Sequence, residues 1–182
     1  MTPDTWLLLV AGAFALLLAW AAWTLTRLRR LDDRAARAWA VLDDRLLHRA
    51  VLVTDLAADH AAALGEDRAV RLKTAAHDAR DPLAGDRELA ENALGRELRA
   101  VPVDVPGVPP ALLDALAEAD ERIALARRFY NDAVRDTREL RSRRLPRLLR
   151  LHARRPLPRY FDIEVTLEGL PSTPDRAQRA GH

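Results

Sequence analysis

Five histidines, His48, His60, His77, His152 and His182, are the imidazoles of this chain. No two stand at the i,i+4 spacing that puts two ligands on one helix face, and no His-Glu-x-x-His run occurs. The sequence therefore predicts no metal site. Cysteine is absent, which removes thiolate ligands, a thiol nucleophile and disulfides. The two serines, Ser142 and Ser172, lie between arginines and in a polar tail, outside any Gly-x-Ser-x-Gly turn. The glycines are scattered and form no phosphate cradle. Acid doublets such as Asp32–Asp33 and Asp43–Asp44 read as solvated helix faces. No catalytic residue, no metal and no cofactor is expected, and the chain is read as a non-enzyme.

The stretch "RRFYNDAVR", residues 127–135, is the densest group of unusual side chains. Advancing each residue by about 100° puts Leu112, Leu116, Ala119, Ile123, Ala126, Tyr130, Ala133, Val134 and Thr137 on one apolar stripe. Phe129 and Leu140 lie on one margin of it. Asp120, Arg127 and Asn131 lie on the other. Trp39, Phe129 and Tyr130 are thus expected as core aromatics. Asp120, Arg127 and Asn131 are expected where this helix meets its neighbour, with Arg127 and Asn131 hydrogen-bonded to the first helix at Asp43 or near Arg49 as polar groups that set helix register. An unpaired buried polar group costs about 1–3 kcal/mol, so such groups find partners.

A second feature is charge. Nine arginines, Arg138, Arg141, Arg143, Arg144, Arg147, Arg150, Arg154, Arg155 and Arg159, stand against one acid, Glu139, between residues 138 and 159. That segment is a candidate binder of polyanions, either anionic lipid or RNA. No aromatic platform interleaves the arginines, which disfavours single-stranded nucleic acid. If the third long helix runs away from a bilayer as the first does, these arginines lie at the far end, which weakens the lipid reading. The plainer alternative is a solvated helix end whose cations suit the C-terminal dipole.

The elements that must carry these residues are helical. Half of the 182 residues are apolar but only 5% are aromatic, an alanine- and leucine-rich composition typical of long helices. Trp6–Leu25 holds twenty residues without a charge; a helix of that length spans roughly 30 Å, a bilayer's hydrocarbon core. Trp6, Trp20 and Trp23 sit where interfacial aromatics sit. Arg27, Arg29, Arg30, Arg34 and Arg37 follow the run and no basic residue precedes it, so the N-terminus is expected outside and the remainder in the cytoplasm. Ala11, Ala15 and Ala19 form a small-residue row that leaves room for an oligomer.

Beyond it, Leu28, Leu31, Ala35, Ala38, Leu42, Leu46, Val53 and Leu56 recur at helical spacing. Gly65 is placed to end that helix. Helical pieces are expected over 66–80 and 86–100, with Asp86 as a cap, then a stiff proline connector over 101–110 and a long helix over 111–144. The fold class is all-α: an N-terminal transmembrane helix continuing into an antiparallel bundle of long helices. The expected organisation is 1–5 outside, 6–26 in the membrane, 27–164 as the bundle and 165–182 as a disordered tail.

"DERIALARRFYNDAVR" (120–135) resembles the signature segment of the LemA family of bacterial membrane-anchored proteins. "AWAVLDDRLLHRAVLVTDLA" (38–57) and "ENALGRELRAV" (91–101) are similar to its first- and second-helix segments. Leu145–Pro146 and Arg159–Asp162 stand where that family has a Phe-Pro and an aromatic closing motif. The resemblance implies a single-pass plasma-membrane protein with a helical scaffold or interaction domain, protein partners of unstated identity and no established activity. Thr54 replaces a proline usual in the family, the connector is richer in proline, and "LHARRPLP" replaces a glycine-aromatic stretch.

Overall fold

The computed structural model describes residues 3–81, 86–102, 104–142 and 157–163. Its regular elements are five α-helices: α1 (Pro3–Asp59), α2 (Ala61–Leu64), α3 (Glu66–Arg80), α4 (Arg87–Arg99) and α5 (Pro110–Ser142). No strand occurs among the described residues. α1 begins in the apolar run and continues without interruption for 57 residues. Near its N-terminus it is long and apolar enough to cross a membrane, and none of that apolar window is buried within the protein. At Thr54 the side chain donates to the Ala50 carbonyl of its own helix at 2.8 Å, and α1 continues past it to Asp59.

The chain divides into two compact units. The first comprises Met1–Trp39 and Tyr130–Tyr160. Here Leu28 and Ala35 of α1 are buried, as are Tyr130, Ala133, Val134, Thr137 and Leu140 of α5. The Trp39 and Tyr130 rings lie 5.2 Å apart, tilted by 58°. Arg34 meets Asp136 at 3.4 Å. Arg141 meets Asp32 at 2.8 Å. Residue numbers fall along α1 as they rise along α5.

The second unit comprises Ala40–Phe129 and Phe161–His182. Its core takes Leu42, Leu46, Val53 and Leu56 from α1, Leu72 and Ala76 from α3, Leu94 from α4, and Leu116 and Ile123 from α5. α3 packs on α4. Asp86 caps α4, its carboxylate accepting from the Glu88 N–H at 3.0 Å, which satisfies one of the free donors of a helix start.

Two local expectations are corrected. The first long helix stops at Asp59 rather than at Gly65; Gly65, at φ 84°, instead separates α2 from α3. No Gly or Pro marks the break at Asp59. It serves packing, because the short α2 delivers Leu64 to the core. The proline connector is more than a spacer: Val105 and Val108 are buried. Between them the Val108 N–H donates to the Val105 carbonyl at 3.0 Å. Gly107 supplies the positive φ, 92°, that a Pro-Gly turn of this kind needs at its third position.

Candidate functional site

In the second unit two of the polar residues expected at the helix margin, Asp120 and Asp43, belong to a cluster around Arg49, which is 2% exposed. Its register explains the burial: it follows Leu46 by three residues and precedes Val53 by four, inside the apolar stripe of α1. Its Nη1 donates to Asp120 Oδ1 at 2.8 Å. Its Nη2 donates to Glu91 Oε2 at 2.7 Å. The other Glu91 oxygen accepts from Arg87 Nε at 3.2 Å. Arg87 reaches Asp43 at 3.0 Å. Two guanidiniums and three carboxylates from α1, α4 and α5 thus form one ion-paired cluster, in which Arg49 Nε and Arg87 Nη2 are buried without a hydrogen-bond partner.

Burial works against the Arg49 cation, yet Asp120 and Glu91 together outweigh it and hold its pKa above the ordinary arginine value. Burial raises the Glu91 carboxyl above the ordinary glutamate value, further than Arg49 and then Arg87 lower it. The two senses conflict for a single ion pair. The cation is the fixed member, because a guanidinium has no accessible neutral form in a protein. The cost of desolvation therefore falls on Glu91. Each carboxylate of the cluster faces a guanidinium, and fixing register is the best-attested use of such buried ion pairs.

Sequence reasoning names Arg49, Asp120 and Asp43 as polar margin residues, but it assigns Arg127 and Asn131 as the partners from the third long helix and misses Glu91 and Arg87. The signal was present: Glu91 stands three and seven residues before Leu94 and Leu98, in the apolar register of α4, with Arg87 one turn behind it. Arg127 is a correction. It does not meet α1; its Nη1 donates to the Ile163 carbonyl at 2.6 Å. That carbonyl belongs to an extended segment whose Phe161 and Ile163 are buried in the same unit and whose Asp162 N–H donates to Glu88 at 2.8 Å. The closing segment competes for the margin that α1 was expected to fill. Asn131 is half-buried and is not without a partner.

Phe129 is a second correction. It is 59% exposed and not a core aromatic. It lies about 90° from the centre of the α5 stripe, too far round for its ring to reach the core. Trp39 is half-buried, and Tyr130 alone of the three is fully in the core. The Tyr130 hydroxyl donates to the Arg159 carbonyl at 2.8 Å, which lets a polar ring tip stay buried.

The arginine end of α5 belongs to the first unit. Arg141 is 4% exposed and holds both oxygens of Asp32 at 2.8 and 3.0 Å. It is a structural cation rather than a free one, which removes it from the candidate polyanion contacts. Arg138 donates to the Pro158 carbonyl at 3.3 Å and stacks over the Tyr160 ring at 5.2 Å. Arg159 is exposed. Arg143, Arg144, Arg147, Arg150, Arg154 and Arg155, like the expected tail 165–182, lie outside the described residues. The pairing of Arg141 with Asp32 also corrects the expected position of this end. Asp32 is seven residues past Leu25, so Arg141 lies beside the foot of the apolar run and not far from it.

Among the described residues no group of acids and histidines is placed to hold a metal ion. Comparison with family models, with curated proteins and with solved structures finds no match.

Proposed function

We propose that the chain is a single-pass membrane protein whose helical domain acts as a scaffold or interaction module of the LemA type, by binding rather than by catalysis. In this reading the apolar half of α1 spans the bilayer, and α1, α3, α4 and α5 pack as an antiparallel bundle clamped at Arg49. The observation that carries it is the continuity of α1. One unbroken helix joins a fully solvent-exposed apolar run to the segment bearing the buried Arg49 clamp. An apolar run left bare in water is unfavourable by about 25 cal/mol per Å2, and a bilayer removes that cost. The arginines that follow the run favour a cytoplasmic domain, with the N-terminus outside.

The test is fractionation and labelling of the full chain. It should stay with the membrane through an alkaline carbonate wash. A single cysteine placed at the exposed Arg122 should be reached by impermeant maleimide only after the cells are opened. Release by carbonate would overturn the anchor; labelling in intact cells would overturn the orientation.

The second reading, polyanion binding by the segment 138–159, gains in its lipid form from one observation. Arg141 pairs with Asp32, near the start of the charged part of α1.

A further inference from the structure

In the second unit one flank of the α1–α5 pair is covered and the other is bare. Arg49 and Asp120 meet at 2.8 Å, which sets the two helices at one height there. On α1, Asp43 reaches Arg87 of α4 at 3.0 Å. On α5, Arg127 reaches the Ile163 carbonyl of the closing segment, and that segment donates to Glu88 of α4. The closing segment and α4 therefore share one flank. Val41 stands two residues from Asp43 and Phe129 two residues from Arg127, each about 200° round its helix and so on the opposite flank.

Counted from the Arg49–Asp120 pair, Val41 is eight residues back along α1 and Phe129 nine residues forward along α5. With the two helices antiparallel, as proposed above, that is the same height to within one residue. Leu125 lies one turn from Phe129 on the same face. All three are more than half exposed: Val41 52%, Leu125 55% and Phe129 59%. The bilayer does not cover them. Val41 is sixteen residues past Leu25 on the unbroken α1, about 24 Å beyond the hydrocarbon edge and outside the headgroup layer.

Around the patch stand Asp44 and Arg45 on α1 and Glu118 and Arg122 on α5. The last two are joined by an ion pair. Two acids and two bases leave this rim without net charge, so two copies of it meet without mutual repulsion. A strongly charged partner finds no field there to steer it. Grouped exposed apolar side chains mark a docking surface. Three of them fall short of the roughly 1,000 Å2 that a pair meeting in solution buries. A copy tethered in the same bilayer is held at the same height, in the same orientation and at high effective concentration, and for it a small patch is enough.

We infer that Val41, Leu125 and Phe129 dock a second copy of this chain, side by side in the membrane about a two-fold axis along the bilayer normal. Such an axis presents the same patch on both copies and sets equal heights opposite each other, as a self-complementary surface requires. The inference rests on the membrane-anchor reading and names a partner for the interaction module.

The test crosslinks the full chain in its membranes with a short bifunctional maleimide; no natural cysteine competes. Val41→Cys and Leu125→Cys should each give a product of twice the chain mass. Val70→Cys is equally exposed but lies on α3, which packs against α4, and it should give about fivefold less. In the Val41→Cys chain, adding Leu125→Glu and Phe129→Glu should lower the product by a similar factor, because like charges then face each other across the axis. If that variant loses its fold, the contrast between Val41→Cys and Val70→Cys decides. Equal crosslinking at Val41 and Val70 would reduce the contact to chance collision and overturn the surface. A product at Val41 that joins the chain to a different protein would overturn the second copy as occupant. A chain that stays in the membrane through alkaline carbonate yet gives only monomer at Val41 and Leu125 would overturn the docking and spare the anchor. A chain released by carbonate would overturn the anchor itself.

Discussion

Arg49 is the residue on which the second unit depends most. It is clasped by Asp120 at 2.8 Å and Glu91 at 2.7 Å and is almost fully removed from water. Arg49→Met keeps the volume but leaves two buried carboxylates without their shared partner. It should cost about 3–5 kcal/mol, read by thermal or urea unfolding of the full chain in detergent. Replacing Arg49, Glu91 and Asp120 together by apolar residues should recover most of that loss, because Arg87, the remaining charge that loses Glu91, keeps Asp43. Glu91 supplies a pH signature. Its folded pKa is raised by burial, so its contribution is present at low pH and is lost as pH rises from the ordinary glutamate value through the folded one. Glu91→Gln cannot titrate. The stability of the parent relative to this variant should fall across that window, and a rise would mean that the two guanidiniums outweigh burial.

At the level of elements, backbone conformation is the sharpest constraint. Gly65 joins α2 to α3 at φ 84° and ψ 137°, a region nearly closed to residues with a Cβ. A Cβ there would meet no atom within 4 Å, so any penalty is backbone strain alone. Gly65→Ala should therefore destabilise by about 1–3 kcal/mol. Phe129→Ser is the contrasting case on α5: the ring is exposed, and unfolding should shift by no more than about 0.5 kcal/mol. Adjacent positions of one aromatic pair thus divide between core and surface. Only the 3.6-residue period separates them; side-chain type does not.

For the whole molecule, the order of contacts along α1 and α5 supports the antiparallel part of the proposal, beside the continuity of α1 that carries it. The antiparallel arrangement proposed here predicts that cysteines at Arg34 and Asp136 are joined by a short bifunctional maleimide. Their parent side chains are exposed and 3.4 Å apart, and the natural chain contributes no competing thiol. A parallel arrangement would keep the pair out of reach, and an uncrosslinked product would remove the physical basis for placing the arginine end near the bilayer. The same order puts Arg141, which composition alone would assign to a distal, solvated helix end, beside Asp32.

What the chain determined unaided was local. Apolar period set the helices, Asp86 capped α4, and the α5 stripe from Leu116 to Leu140 is buried almost throughout. Those features depend on neighbours within a turn or two, and that information lies in consecutive residues. Choice of partner does not lie there. That Arg127 turns to Ile163 instead of α1, that Glu91 completes the Arg49 clamp, and that Arg141 lands on Asp32 depends on residues 36 to 109 positions apart. Such pairs form only when helices dock, because an unpaired charge is tolerated in water and becomes costly once burial removes the water.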